Sequence, residues 1–261
     1  MIITFILFGL LLVFAIYAFT RYNSKRSAAT PASWDKLLLE HVHFYEMLSK
    51  ERRKLFKKRM GLFLSKTYVE GVELQVEELD KVLVAASAVI PVFGFEEWHY
   101  TNLTGVLLYP DNFNTDFAFK NEEKGRLIQG MVGTGRLENQ MILSRKALRQ
   151  GFSHENRGNN TGIHEFVHLI DKMDGQTDGF PERLLEHAYS IPWLKVIHKE
   201  MEKINNNTSD IRSYGGTNEA EFLAVASEYF FEKPSQMQKK HPELYKMLLQ
   251  CFHTQKTADK P

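Results

Sequence analysis

The sequence His-Glu-Phe-Val-His at residues 164–168 carries the side chains best suited to chemistry in this chain. Residues four apart lie on one face of an α-helix, so His164 and His168 can bind one metal ion. Glu165 follows the first histidine directly, where its carboxylate can take a proton from water at the ion's open position. Two neutral nitrogens, a base and a vacant coordination position are what zinc-assisted hydrolysis requires.

The residues around this motif favour a buried helix. The run from Ile163 to Ile170 includes Phe166, Val167 and Leu169, which make the helix apolar on most sides. The alternative is a surface helix with an ordinary trio of polar residues, and these side chains disfavour it. Because buried imidazoles and a carboxylate need partners, a bound cation is the simplest explanation of the pattern.

A second helix, predicted over residues 218–231, supplies candidates for a third ligand. Glu221 and Glu228 are seven residues apart, about two turns, and therefore share a face. We assign Glu221 as the third metal ligand and Glu228 as a carboxylate that orients a ligand imidazole; the alternative for both is exposure to solvent. Glu219 falls on another face and is expected to be exposed. Asp171, three residues after the second histidine, either accepts the far ring N–H of a ligand histidine or is an exposed residue at the helix end.

Three segments of the chain resemble the Mlc titration factor A family of bacterial zinc peptidases. They are I-H-E-F-V-H-L-I-D-K-M-D-G at 163–175, A-E-F-L-A-V-A-S-E-Y-F-F-E-K-P at 220–234 and G-V-L-L-Y-P-D-N-F at 105–113. The similarity extends over roughly residues 40–250. It implies a gluzincin-like fold related to the catalytic domain of anthrax lethal factor.

The resemblance also implies roles for individual residues. The family's metal ligands correspond to His164, His168 and Glu221, and zinc is the implied cofactor. The general base corresponds to Glu165, and a family tyrosine that can donate a hydrogen bond to an oxyanion corresponds to Tyr214. Family members act as aminopeptidases, and the enterobacterial member binds the sugar-responsive repressor Mlc. A transcriptional regulator is therefore an implied partner.

Together these observations predict a zinc-dependent, aminopeptidase-like hydrolase of peptide or protein substrates. In the predicted mechanism a zinc-activated water loses its proton to Glu165 and attacks the peptide carbonyl, while Tyr214 stabilises the oxyanion. We expect an extended substrate to pair with an edge strand at Gln140 to Ser144. Two alternatives stay open: a regulatory protein that sequesters a transcription factor and holds a non-catalytic zinc, and a metal hydrolase of a non-peptide amide bond.

The N-terminal stretch from Ile2 to Phe19 is almost wholly apolar and has about the length of a membrane-spanning helix. Arg21, Lys25 and Arg26 follow it, and positive charge is typical of a cytoplasmic flank. This predicts a single-pass protein of the inner membrane with its catalytic domain in the cytoplasm; a cleaved signal peptide is the alternative. The predicted organisation is a transmembrane anchor at 1–22, a linker at 23–35 and a zinc metallopeptidase domain at 36–255.

Composition and charge restrict the classes of function. The chain has 33 Lys and Arg against 32 Asp and Glu, a formal net charge of +1, so no overall field favours nucleic acid as a partner. The single cysteine, Cys251, excludes an intramolecular disulfide and fits a reducing compartment. We expect it to be a buried, small apolar residue.

Hydrophobic patterns predict an α+β fold, a zincin-like metallopeptidase domain with a small sheet and the active helix, preceded by one transmembrane helix. The predicted elements are helices at Trp34–Met60, Leu79–Ile90, Trp193–Asn205 and Pro242–Phe252, and strands at Thr104–Leu108, Arg126–Val132 and Gln140–Ser144. The glycine-rich run at 130–135 is interpreted as a hairpin turn, and Asn160 or Thr161 as the N-cap of the active helix. A basic cluster at 50–59 is interpreted as a solvated helix face, with attraction to anionic lipid as the alternative.

Overall fold

The computed structural model describes residues 30–114, 117, 128–156, 158–181, 184 and 190–252 of the 261-residue chain. Within these ranges, ten α-helices surround one four-stranded sheet. The helices are α1 (Ser33–His41), α2 (His43–Glu46), α3 (Lys50–Lys66), α4 (Glu78–Val89), α5 (Arg145–Gly151), α6 (Thr161–Asp171), α7 (Ser190–Asn205), α8 (Glu219–Glu232), α9 (Pro234–Lys240) and α10 (Pro242–Cys251). The strands are β1 (Tyr68–Gly71), β2 (Gly105–Tyr109), β3 (Gly130–Val132) and β4 (Gln140–Ser144).

The sheet is mixed, with the strand order β1-β2-β4-β3. The first three strands of that order are parallel, whereas β3 pairs antiparallel with β4 and forms one edge. Val106, Leu108 and Leu143 of the two interior strands are fully buried, as expected of strands covered on both faces. The predicted strands at 104–108 and 140–144 and the described part of 126–132 are confirmed. The pattern of the sequence does not predict β1.

The predicted edge position of the strand Gln140–Ser144 is wrong. β4 pairs with β2 on one side and with β3 on the other, so both of its backbone edges are occupied. The edge strands of the sheet are β1 and β3 instead. The turn between β3 and β4 contains the glycine-rich run and is closed by the Gly133 N–H, which donates to the Gln140 carbonyl at 2.8 Å. The interpretation of that run as a hairpin turn is confirmed.

The single helix predicted over Trp34–Met60 is instead three helices, α1 to α3. Val42 has an extended backbone (φ −112°, ψ 93°), which separates α1 from α2. Ser49 is also extended and starts α3, because its hydroxyl accepts a hydrogen bond from the Arg52 N–H at 3.4 Å. Continuous apolar periodicity across these breaks hides them in the sequence.

The predicted transmembrane helix needs correction. Within the described ranges, no helix is both long enough and apolar enough to span a bilayer. The longest described helix, α3, has 17 residues and is rich in lysine and arginine, whereas a span needs about 20 apolar residues. The predicted span, residues 2–19, lies outside the described residues. The described residues form an α+β fold with a small mixed sheet and many helices, without the predicted transmembrane helix. The predicted single-pass inner-membrane localisation is therefore not supported.

The helix α6 lies at the centre of the molecule. It packs against α8 on one side, against α4 and α5 on another, and against β3 of the sheet. Ten of its eleven residues are buried, as its apolar sequence predicts. Cys251 is also fully buried in the core, which confirms the prediction for this residue. The core thus holds α6 rigidly between the sheet edge and α8.

Candidate metal centre

The two histidines of the motif project from the middle of α6. Asn160 caps this helix, because its side-chain oxygen accepts a hydrogen bond from the Ile163 N–H at 3.1 Å. The cap fixes where the helix begins and so which face His164 and His168 share. Their rings lie edge to face with centroids 4.7 Å apart. Both imidazoles therefore converge on one point beside α6, as the sequence predicts.

The third predicted ligand reaches the same point from α8. Asn218 caps α8 by accepting the Glu221 N–H at 2.9 Å, which places Glu221 in the first turn. Its Oε2 lies 3.1 Å from Nε2 of His164 and 3.4 Å from Nε2 of His168. The two Nε2 atoms are 3.1 Å apart. Residues more than fifty positions apart in sequence thus meet in one cluster.

The spacing of these three atoms suits a small tetrahedral cation. A zinc ion with bonds of about 2.0–2.1 Å separates its ligand atoms by about 3.3–3.4 Å. The three separations, 3.1, 3.1 and 3.4 Å, are close to that edge length. Among the described residues, His164, His168 and Glu221 are also the group whose donor atoms could hold a metal ion together. Two imidazoles and one carboxylate form a donor set typical of a catalytic zinc site.

A buried carboxylate is hydrogen-bonded to the ring nitrogen of His164 that does not face the other two proposed ligands. Glu228 is fully buried, and its Oε1 lies 2.8 Å from Nδ1 of His164. Because a carboxylate only accepts, Nδ1 carries the hydrogen and Nε2 is left free to bind a cation. Glu228 also accepts hydrogen bonds from the Asn160 N–H and from Nη2 of Arg212. This carboxylate therefore ties α8, the start of α6 and the segment before α8 to one imidazole.

Glu165 is a buried residue of α6 that lies against the edge strand β3. It is 6% exposed, and burial raises the pKa of its carboxyl. A Cβ atom added to Gly130 of β3 would fall 2.7 Å from Cγ of Glu165, so the strand and this side chain are in direct contact. Glu165 and Gly130 both line a cavity of about 560 Å³, together with His164 and Glu221. A base, two of the three donor groups and a sheet edge thus share one open cleft.

The hydrogen bonds of the cluster set its charge. Burial by itself lowers the pKa of His164, but hydrogen bonds with Glu221 and Glu228 outweigh it and raise that pKa to about 10. Burial raises the pKa of Glu221, yet its bonds to His164 and His168 hold that pKa well below its usual range. The carboxylates of Glu221 and Glu228 therefore stabilise a positive charge at His164. A proton on His164 can supply it, and so can a metal ion in its place.

The other predicted residues lie as follows. Tyr214, which is 37% exposed, lines the cavity with its ring centroid 6.0 Å from that of His164. Asp171 is fully buried and accepts the Gly179 N–H at 2.9 Å through Oδ2. Its Oδ1 and Nδ1 of His168 are both buried, and neither has a hydrogen-bond partner among the residues that the structure describes. Glu219 is exposed, as predicted, and lies 3.2 Å from His198.

Two residues of the cleft have no clear signal in the sequence. Arg212 lies in the segment that precedes α8, and a lone arginine in a loop does not indicate a partner. Gly130 belongs to a run whose glycines are explained by the hairpin turn alone. Arg212 belongs to the site through its hydrogen bond to Glu228, and Gly130 belongs to it through its contact with Glu165.

Comparisons with known proteins identify the family of this chain. The model of a family described as glucose-regulated metallo-peptidase M90 matches residues 18–253. An uncharacterised protein of Synechocystis is 27% identical over 235 residues, which cover 85% of this chain and 84% of the relative. Mlc titration factor A of Cronobacter sakazakii is 25% identical over 233 residues, 84% of each chain. Its counterpart in Salmonella arizonae is 30% identical over 193 residues, 69% of this chain and 76% of the relative. These matches confirm the family resemblance.

Proposed function

This chain belongs to the glucose-regulated metallo-peptidase M90 family, and on that premise we propose that it is a zinc-dependent peptidase. Membership of a metallopeptidase family implies a bound metal. We propose that the metal is zinc and that His164, His168 and Glu221 hold it. The observation that carries the proposal is the set of donor-atom separations, 3.1, 3.1 and 3.4 Å, beside a buried glutamate in an open cleft. We assign the catalytic domain to residues 36–255.

The chemistry divides between the metal and the side chains of the cleft. Zinc, when bound, supplies a Lewis acid that polarises a carbonyl and lowers the pKa of water. Glu165 accepts the proton of the attacking water and returns it to the leaving amine. Tyr214 donates a hydrogen bond to the oxyanion that forms at the attacked carbon, a contribution of about 3 kcal/mol in other enzymes.

We propose that the substrate binds along β3, the edge strand next to Glu165. Among the described strands, β3 pairs on one side only, whereas β4 pairs on both. An extended peptide that pairs with β3 as an added strand passes Gly130 and so reaches Glu165. We expect a free N-terminal amine on the substrate, as the family resemblance implies.

Asp171 is the proposed partner of the second histidine. Nδ1 of His168 and Oδ1 of Asp171 are both buried and without a hydrogen-bond partner among the described residues, and the two residues lie three positions apart on α6. When Nε2 of His168 binds a metal, Nδ1 carries the hydrogen. We propose that Oδ1 of Asp171, which is on the same helix, accepts this hydrogen.

The experiment that tests the proposed function measures metal content and peptide hydrolysis on the same purified full-length chain. We expect about one zinc per chain, hydrolysis that a chelator abolishes, and recovery when zinc is added back. Amino-acyl anilides with a free amine should be cleaved faster than their N-acetylated forms. Hydrolysis that persists in metal-free protein contradicts the proposal.

Variants identify the ligand. Glu221→Ala should lose zinc, whereas Glu219→Ala, a change in an exposed residue of the same helix, should retain it. If zinc survives Glu221→Ala and falls in Glu228→Ala instead, the carboxylate assigned as ligand is the wrong one.

A second candidate function is favoured by the relatives named Mlc titration factor A. By that name, they titrate Mlc. Binding of a transcriptional regulator is therefore a candidate activity for this chain, alone or beside hydrolysis. The Glu165→Gln variant separates the two functions, because it removes the proposed base and leaves the surface of the protein unchanged.

A further inference from the structure

A second cavity, unrelated to the metal centre, opens between α3 and the segment after α4. Its volume is about 400 Å³, which is in the range of small-molecule sites. Among the described residues, no side chain lines both this cavity and the one at the metal centre. The two cavities are therefore separate, and what this one binds does not depend on the proposed peptidase activity.

The walls of this cavity are mostly apolar and aromatic. Phe63 and Tyr100 pack edge to face with centroids 6.2 Å apart, and Trp98 packs against Tyr100 in the same way at 6.2 Å. Leu55 and Leu62 line the mouth and are 38% and 36% exposed. Large apolar side chains around a concave surface favour the apolar part of a ligand over water.

One unpaired cation stands between the two exposed leucines. Lys58 is three residues after Leu55 and four before Leu62, so the three side chains share a face of α3. Its ammonium group has no hydrogen bond or ion pair with any described residue. A cation beside apolar side chains at the mouth suits a ligand with an anionic head and an apolar tail.

The other cations of the lining have partners. The Arg59 guanidinium donates to the carbonyls of Val92, Phe93 and Glu96 at 3.2, 3.0 and 2.9 Å, and so fixes the far wall of the cavity. Lys66 lies 3.4 Å from Nδ1 of His99. Lys58 is therefore the cation of the lining whose charged group has no partner among the described residues, and it can pair with an anionic ligand.

The acidic residues of the rim limit the charge of the ligand. Glu96 and Glu97 both line the cavity and are exposed. Their carboxylates repel a second negative charge on a ligand, so a single anionic group is favoured.

We propose that this cavity binds an aliphatic monocarboxylate of medium chain length. Its carboxylate pairs with Lys58, and its chain lies between Leu62 and the aromatic wall of Trp98 and Tyr100. A neutral head on the same chain lacks the ion pair at Lys58, and a cationic head is repelled by Lys58 and attracted by Glu96 and Glu97.

The test is a titration of the full-length chain with sodium decanoate, below its micelle concentration, followed by calorimetry. Decanol and decyltrimethylammonium, which carry the same chain, are titrated in parallel. We expect saturable binding of one decanoate per chain and binding of decanol weaker by about tenfold or more, because its neutral head forms no ion pair with Lys58. Tighter binding of the ammonium compound than of decanoate shows that Glu96 and Glu97 select the head group, and contradicts the proposal. Absence of saturable decanoate binding, or equal binding of all three compounds, overturns the proposal.

Variants on α3 locate the site. Lys58→Glu should weaken decanoate binding by about tenfold or more, and Leu62→Trp should block the mouth. Lys54→Glu makes the same charge change on an exposed residue of the same helix that does not line the cavity, and binding should stay unchanged. Lys58 and Leu62 are exposed, so both variants should fold. If Lys58→Glu and Lys54→Glu bind decanoate equally, the carboxylate does not sit at Lys58 and the proposal is wrong.

Discussion

Gly130 of the edge strand lies directly against Glu165 of the helix α6. A Cβ atom at Gly130 would fall 2.7 Å from Cγ and 2.9 Å from Oε1 of Glu165, far inside ordinary contact distance. The same atom would meet Cδ2 of Leu143 at 2.9 Å. The absence of a side chain at Gly130 therefore makes the room that Glu165 occupies.

Gly130→Ala should thus displace Glu165 while leaving the three proposed metal ligands in place. We expect zinc content to stay near one per chain and peptide hydrolysis to fall by about 100-fold, because a misplacement of about 1 Å has effects of that size. Both quantities are measured on one preparation. Gly61→Ala in α3 is the control, since its nearest neighbour would be an ordinary 3.7 Å away. Full hydrolysis in Gly130→Ala shows that the contact does not position the base.

The parts of the site that the sequence predicts are those carried by helical periodicity. His164, Glu165 and His168 fall within five residues, and the face that Glu221 and Glu228 share follows from their spacing. The cap at Asn160 also follows from its residue type. In each case a local rule fixes the geometry, so no knowledge of distant contacts is needed.

The parts that the sequence does not predict depend on contacts between distant segments. β1 is a four-residue edge strand that exists because it pairs with β2, and its own pattern is too short to indicate a strand. The interior position of β4 depends on which strands pair with it, which residue patterns do not specify. Arg212 acquires its importance only through Glu228, on another element.

Glu228 should act on the metal centre through His164 alone. Glu228→Gln keeps the size of the side chain but removes the charge that Arg212 and the imidazole share, so the hydrogen bond that keeps the hydrogen on Nδ1 of His164 is weaker. We expect zinc affinity to fall by about 10–100-fold, measured by competition with a chelator. Glu219→Gln, an exposed change on the same helix, should leave the affinity unaltered. Equal affinities in the two variants remove Glu228 from this role.

Asp171→Asn tests the proposed partner of His168. The amide can still accept the Gly179 N–H, so the fold of this turn should persist. Loss of the charge should weaken zinc binding by about tenfold, since the amide is a poorer acceptor for the Nδ1 hydrogen of His168. Asp174→Asn, three residues further on, is the matched control. Unchanged zinc affinity in Asp171→Asn indicates that His168 has another partner.

A buried ionic network away from the metal centre should make stability depend on pH. The His241 ring is 5% exposed and lies 2.7 Å from Glu200 and 2.8 Å from Asp210. The hydrogen bond with Glu200 raises the pKa of His241, against the opposing effect of burial, and the bond with Asp210 adds to the rise. Glu200 also pairs with Lys203 at 2.5 Å, and Asp210 with Lys240 at 2.7 Å.

The sign of the dependence follows from the raised pKa of His241. Its contribution to the free energy of unfolding is complete below the unfolded value of about 6.5 and is lost as the pH rises through the higher folded value. We therefore expect His241→Gln to destabilise the protein by on the order of 3 kcal/mol at about pH 6 and by less at about pH 9. Urea unfolding at both pH values measures the difference. A destabilisation that grows with pH contradicts the assigned charge of His241.

The measurement that tests the proposed zinc-dependent hydrolysis most directly is zinc content together with peptide hydrolysis in the Glu165→Gln variant. Glu165 is not one of the three groups proposed to hold the metal, and glutamine has nearly the same size. We expect about one zinc per chain, as in the unaltered protein, and hydrolysis lower by about 10²–10⁴-fold. Undiminished hydrolysis by the zinc-loaded variant would contradict the assignment of Glu165 as the base.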